Sequence, residues 1–223
     1  MRSIHRFGVA VGLVVLSGIV SLFAAPSLPA DLVTHWNAAG EPDGTMSKQF
    51  ALWLFPAMTA GLFAVFAVIP RIGPLRENIA EFRAYYDWFV VIFTGYLVLV
   101  HAGVVAFNLG YEFDFTALIL VGAAGLFYYV GIFLPHAEPN WFAGIRTPWT
   151  LSSDEVWDRT HALGSWLFKL TAVLTLVGLF VGDLAIYFLL VPLLLTAGVT
   201  AVYSYYLYEQ IEREPDSTPG SDL

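Results

Sequence analysis

The sequence predicts an all-α, polytopic membrane protein with six transmembrane helices and both termini in the cytoplasm. Three observations carry this. The 223 residues are 58% hydrophobic with a mean hydropathy of +0.70, well above the level of a soluble domain. Six stretches are each long and apolar enough to cross about 30 Å of hydrocarbon as a helix. Lys and Arg number only 10, and they divide sharply between alternate connections.

The first stretch runs from Phe7 to Ala25. Arg2 and Arg6 ahead of it look like the start of a signal peptide, but the apolar run is long for one. Pro26 also follows the small residues directly, which disfavours cleavage, so the stretch is read as a span. Gly8 and Gly12 form a G-x-x-x-G pair that allows close helix approach, within the chain or between copies. The other spans are Phe50 to Ile69, Trp88 to Phe107, Phe115 to Leu134 (ended by Pro135), Gly164 to Val181, and Leu184 to Leu207. With the N-terminus inside, Arg2, Arg6, Arg71, Arg76, Arg83, Arg146, Arg159, Lys169 and Arg213 fall on or near the cytoplasmic side, against Lys48 alone outside. That bias sets the orientation. The chain divides into 1–70, 71–207 and a polar tail, 208–223, read as disordered.

Cysteine is absent, so disulfides, thiolate metal sites and cysteine nucleophiles are excluded. A net charge of −8 argues against direct nucleic-acid binding. The acidic, Lys-poor balance fits a halophilic source.

Three connections have enough content for function: 26–49 outside, and 70–87 and 135–163 inside. In the outer one Pro42-Asp43-Gly44 is a turn sequence, and His35, Trp36 and Asn37 form a candidate binding face with Asp43 and Lys48, the Trp lying at headgroup depth. Ser47 is placed to cap the second span. This segment resembles the DUF1648 family, whose pattern is matched by Leu28-Pro29, His35-Trp36-Asn37, Gly40, Pro42-Asp43 and Ser47-Lys48. The region 1–70 is therefore DUF1648-like.

Inside, Arg76 to Trp88 reads as an interfacial lead-in helix. Ile79, Phe82 and Tyr86 share a stripe on it, Arg83 meets Asp87 at i, i+4, and Tyr85, Tyr86 and Trp88 are its anchors. In the longer segment Thr147-Pro148 holds the chain extended. Ser152 and Glu155 have capping-box spacing, and Glu155 to Arg159 is the favourable i, i+4 order. Val156, Trp157 and Thr160 line a face expected along the membrane surface. The run Asn140 to Gly164, "NWFAGIRTPWTLSSDEVWDRTHALG", is similar to the signature of the SdpI family, so 71–207 is SdpI-like.

That resemblance implies a membrane protein that protects a cell from a secreted peptide toxin. In the best-understood members of that family a small winged-helix transcriptional repressor is also held at the membrane when toxin is present. Asn140, Trp141, Arg146, Trp149, Trp157, Arg159 and His161 are the candidates for a cytoplasmic contact surface, because Trp and Arg dominate interfaces. Membrane lipid competes as their partner.

Along the third span Asp87, Thr94, His101 and Asn108 recur every seven residues and form one polar stripe. It offers two readings: a small transporter or ion pathway, or a neutral His101 satisfied by interhelical hydrogen bonds. Ser152, Ser153, Asp154, Asp158 and His161 supply catalytic residue types, but no nucleophile elbow or H-E-x-x-H motif is present. The chain is read as a non-enzyme without cofactor or metal.

Overall fold

The structure, a computed structural model, describes residues 3–72 and 76–213. Among them six helical segments are long and apolar enough to cross a membrane. Helix α1 is Ser3–Ala24, α2 Lys48–Val68, α4 Arg83–Asn108, α5 Phe115–Phe133, α6 Asp154–Gly178 and α7 Tyr187–Arg213; a short helix, α3 (Arg76–Glu81), precedes α4. The spans form two groups of three. Helix α1 packs on α4 and α2, and α2 on α4; α6 packs between α5 and α7; α4 and α5 join the two groups. Helices from both sides of residue 70 therefore share one group.

Most of this follows from local chemistry. Asp114 caps α5 by accepting a hydrogen bond from the Ala117 amide at 2.9 Å, and Pro135 ends it in a 3-10 turn over Leu134–His136. Where α5 and α6 touch, Gly131 has no side chain, and Ser165 Oγ donates to its carbonyl at 2.5 Å. A Cβ on Gly131 would lie 2.8 Å from the Ser165 carbonyl oxygen, so the close approach depends on glycine.

Several elements differ from expectation. The 26–49 connection contains an antiparallel hairpin, β1 (Asp31–Trp36) with β2 (Pro42–Ser47), which the polar, glycine-containing sequence did not announce. Its turn is Asn37 to Glu41, where Asn37 Oδ1 accepts from the Ala39 and Glu41 amides at 2.9 and 3.0 Å. Pro42-Asp43-Gly44 instead lies in β2, where the register slips: His35 faces Gly44 and Trp36 faces Pro42. Ser47 holds the N-cap position of α2 but its side chain makes no capping bond.

Helix α6 runs unbroken from Asp154 to Gly178, so it begins before Gly164 and stops short of Val181. Its cap is Ser153, which accepts from the Val156 amide, whereas Ser152 Oγ donates to the Pro148 carbonyl at 2.7 Å. The face carrying Val156, Trp157 and Thr160 is buried in protein rather than laid on the membrane surface. The inner stripe of 76–87 likewise packs on protein, because Ile79, Phe82 and Tyr86 join Phe133, Leu134, Ala137 and Trp157 in one buried cluster, while Trp88 stays exposed. Helix α7 continues through 208–213, so that part of the expected tail is ordered; 214–223 lie outside the described residues.

Candidate functional site

Each end of the bundle carries a built face. At the hairpin end, Leu28 and Leu32 pack with Ala51, Leu52 and Val105, seating the strands on α2 and α4. Asn108 then grips β1: its Oδ1 accepts from the Val33 amide at 2.8 Å and its Nδ2 donates to the Val33 carbonyl at 2.9 Å. Lys48 Nζ donates to the carbonyls of Ala25 and Leu28 at 3.1 and 3.0 Å, tying the hairpin base to the end of α1. Asn37 spends its side chain on the turn. Lys48, Asn37 and Asn108 thus shape this face from within.

Trp36 crosses to the second helix group. It stacks on Phe115 with ring centroids 3.7 Å apart and meets Phe107 edge-on at 5.2 Å. This places it against the start of α5 rather than free at headgroup depth. A cleft opens on each side of the stack. One, of about 320 Å³, runs between the hairpin tip, Phe113, Asp114 and the α6–α7 turn at Gly182 and Asp183. The other, of about 430 Å³, is bordered by His35, Asn37, Ile119 and Ile186. His35 Nδ1 lies 2.5 Å from Asp43 Oδ1, and both side chains are exposed.

The opposite end is built by the 135–163 segment. Asn140, fully buried, organises a tight knot: Oδ1 accepts from the Phe142 and Ala143 amides at 2.8 and 2.7 Å, while Nδ2 donates to the Glu138 and Ala143 carbonyls at 2.8 and 2.9 Å. Every hydrogen-bonding site of the amide is used. Trp157 Nε1 donates to the Ala137 carbonyl at 2.6 Å, and its ring stacks on His161 at 4.0 Å. The Ile145 amide donates to His161 Nε2 at 3.0 Å, so the proton sits on Nδ1, which donates to the Trp157 carbonyl at 2.8 Å. Two backbone partners thus specify one neutral tautomer.

Thr147 and Thr150 brace the extended arm. Thr150 Oγ1 donates to the Ile145 carbonyl at 2.9 Å, and Thr147 Oγ1 reaches Ser204 on α7 at 2.9 Å. Trp149 meets Tyr205 edge-on at 5.1 Å. The segment covers an apolar cavity of about 270 Å³ lined by Phe66, Tyr86, Phe89, Phe142 and Phe168 among others.

This geometry divides the seven cytoplasmic candidates. Asn140, Trp157 and His161 are at most 1% exposed, so they hold the segment's shape and cannot touch a partner in this conformation. Trp141, Arg146 and Arg159 are exposed and Trp149 half-buried. The Arg146 guanidinium donates to the Trp141 carbonyl, and Arg159 pairs with Glu155 at 3.3 Å. Ser152, Ser153 and His161 are spent on structural bonds and form no catalytic set.

The polar stripe of α4 faces neighbouring elements. Asp87, its side chain 0% exposed, pairs with Arg83 at 2.6 Å and Arg6 of α1 at 3.6 Å. Thr94 is buried. His101 lies between Ser17 Oγ (2.7 Å, to Nδ1) and Ser21 Oγ (3.2 Å, to Nε2), and its ring parallels Phe55. Ser21 donates its single hydroxyl proton to the Leu52 carbonyl at 2.7 Å, so it accepts from Nε2–H, and Ser17 donates to Nδ1. One histidine thereby joins α1, α2 and α4. None of the stripe residues lines the three cavities described above.

Six spans, a strand hairpin clamped over one end and a braced, aromatic segment closing the other define a multi-pass membrane protein. Its extramembrane faces are both built by residues far apart in sequence. The model of the SdpI/YfhL protein family matches residues 136–204, and that of the domain of unknown function DUF1648 matches residues 12–60. The chain is similar to Immunity protein SdpI of Bacillus subtilis (strain 168), with 22% identity over 205 residues that cover 91% of this chain and 96% of that protein. No solved structure matches it.

Proposed function

We propose that this protein is an immunity-type protein of the cell membrane that protects against a secreted peptide toxin, received at the hairpin end. The observation that carries this reading is the similarity to Immunity protein SdpI along nearly the whole of both chains. The orientation follows the Lys and Arg bias, which places the hairpin outside and the 135–163 segment in the cytoplasm. A second step is transduction: toxin-bound protein holds a small winged-helix repressor through Trp141, Arg146, Trp149 and Arg159. Such coupling requires that toxin bind two states of the bundle differently. The pathway reading of the α4 stripe is less favoured, because its polar groups are engaged with Arg6, Arg83, Ser17, Ser21 and Val33.

Deletion of the gene from its own host tests the first step. The deletion strain loses growth in conditioned medium from its parent and regains it with a plasmid copy; unchanged growth on deletion overturns the immunity reading. For the second step, the double variant Trp141→Ala/Arg146→Ala still inserts and protects but no longer co-purifies a repressor in toxin-treated cells. Undiminished co-purification removes this surface from the contact.

A further inference from the structure

The hairpin end has an unbalanced charge. Asp31, Glu41, Asp43, Glu112, Asp114 and Asp183 lie in its connections, against Lys48 alone. The Lys48 ammonium is turned inward onto the Ala25 and Leu28 carbonyls, and only Asp43 among these carboxylates has an ion-pair partner among the described residues. Two of these acids without an ion-pair partner, Asp114 and Asp183, line one cleft together with Trp36, Phe107, Phe113 and Phe115. The opposite end carries nearly all the Lys and Arg, so overall acidity does not explain the asymmetry.

We infer that the clefts flanking the Trp36–Phe115 stack dock a cationic, amphipathic peptide. Its apolar side chains lie against Trp36, Phe113 and Phe115, and a Lys or Arg beside them pairs with Asp114 and Asp183. This rests on the peptide-toxin reading above and supplies the ligand's chemistry. The volumes, about 320 and 430 Å³, are of the size that takes small ligands or bulky side chains. An aromatic floor beside uncompensated carboxylates matches a peptide in which both characters alternate. The site also spans the two helix groups, since the hairpin sits on α2 and α4 while Asp183 belongs to the α6–α7 turn. A peptide bridging them touches both groups at once.

The test uses the full chain in nanodiscs of zwitterionic phosphatidylcholine, with empty nanodiscs alongside, and three fluorescein-labelled synthetic peptides. One alternates Lys with Leu and Trp, one replaces each Lys by Glu, and one replaces Leu and Trp by Ser. Fluorescence anisotropy is expected to register binding of the first alone. Raising salt from about 0.1 to about 1 M, which shortens the Debye length from about 10 to 3 Å, weakens it. The isosteric variant Asp114→Asn/Asp183→Asn, in which Asn still caps α5, binds about five- to tenfold more weakly and loses most of the salt dependence. Glu138→Gln at the opposite end changes nothing. Equal binding by empty nanodiscs, by the Glu peptide or by the double variant overturns the proposal. The deletion strain keeps this separate from the immunity reading. If the double variant restores growth as fully as the wild type, the cleft is not the toxin site and immunity stands. If the wild type itself does not protect, the immunity reading fails and the titration still decides the cleft.

Discussion

Replacing Gly144 by Ala probes the least forgiving point of the signature segment. Gly144 has φ +112°, and a Cβ there would be driven against His161 Nε2, with Trp157 Cη2 and His161 Cδ2 each 3.3 Å away. Two costs combine. An L-residue held in that backbone region costs about 1–3 kcal/mol, and forcing a methyl into a packed site about 1–3 kcal/mol more. The summed loss is about 2–6 kcal/mol, a large share of the roughly 5–15 kcal/mol that holds a typical fold. Gly125, on α5, is the matched control: a Cβ there meets nothing within 4 Å, and Ala in a helix gains up to about 1 kcal/mol over Gly. The assay is unfolding free energy in mixed micelles with rising SDS, read by near-ultraviolet circular dichroism from the buried Trp157. Gly144→Ala is expected to unfold at far lower SDS than wild type, and Gly125→Ala at the same level or higher. Two variants that differ by less than about 0.5 kcal/mol, the scatter of ordinary surface changes, refute the claim that the His161 ring and the backbone angle demand glycine.

Four other outcomes are expected. Trp157→Phe removes the donor to the Ala137 carbonyl and costs about 1–3 kcal/mol, against about 3–5 kcal/mol for Trp157→Ala; a Phe variant as stable as wild type in the same SDS titration would mean the hydrogen bond contributes nothing. A double-mutant cycle of Ser17→Ala with His101→Phe gives a coupling near 0.6 kcal/mol and no more than about 1.7 kcal/mol, and zero coupling contradicts the pairing. Asp87→Asn, which weakens both arginine contacts, destabilises more than Arg6→Gln, which weakens one; the reverse order in thermal melts counts against Asp87 as the hub. Because the chain has no cysteine, Ala39→Cys and Glu138→Cys report orientation directly. A membrane-impermeant maleimide labels the first in intact cells and the second only after lysis, and the opposite pattern inverts the topology.

The spans were legible because hydrocarbon demands long apolar runs and nothing else in the chain imitates them. The hairpin was not, since its strands are six residues each, mix Asp, Thr and Gly with apolar residues, and take their stability from Asn108, seventy-five positions away. At the other end the residue types were plain, but Trp157 and Trp141 read alike in sequence. Only the position of the Ala137 carbonyl sends one inward, while the other stays half-exposed. The spacing to Glu155 named Ser152 as the cap; the bond from Ser152 to the Pro148 carbonyl, which that spacing does not show, leaves Ser153 to start the helix. In the α4 stripe the spacing located the polar residues, and the partners on α1 and β1 lay beyond any local pattern.

The grip of Asn108 on Val33 also sets a timetable. At about 5–20 residues per second, the seventy-five positions between them take roughly 4–15 seconds to synthesise. For that interval the first strand exists without the residue that will hold it. Until then the amide and carbonyl of Val33 lack the side chain that satisfies both in the finished fold. A chain stalled between the second span and the third carries every residue of the hairpin and lacks the hand that closes on it, so this face comes into being only once α4 has been made.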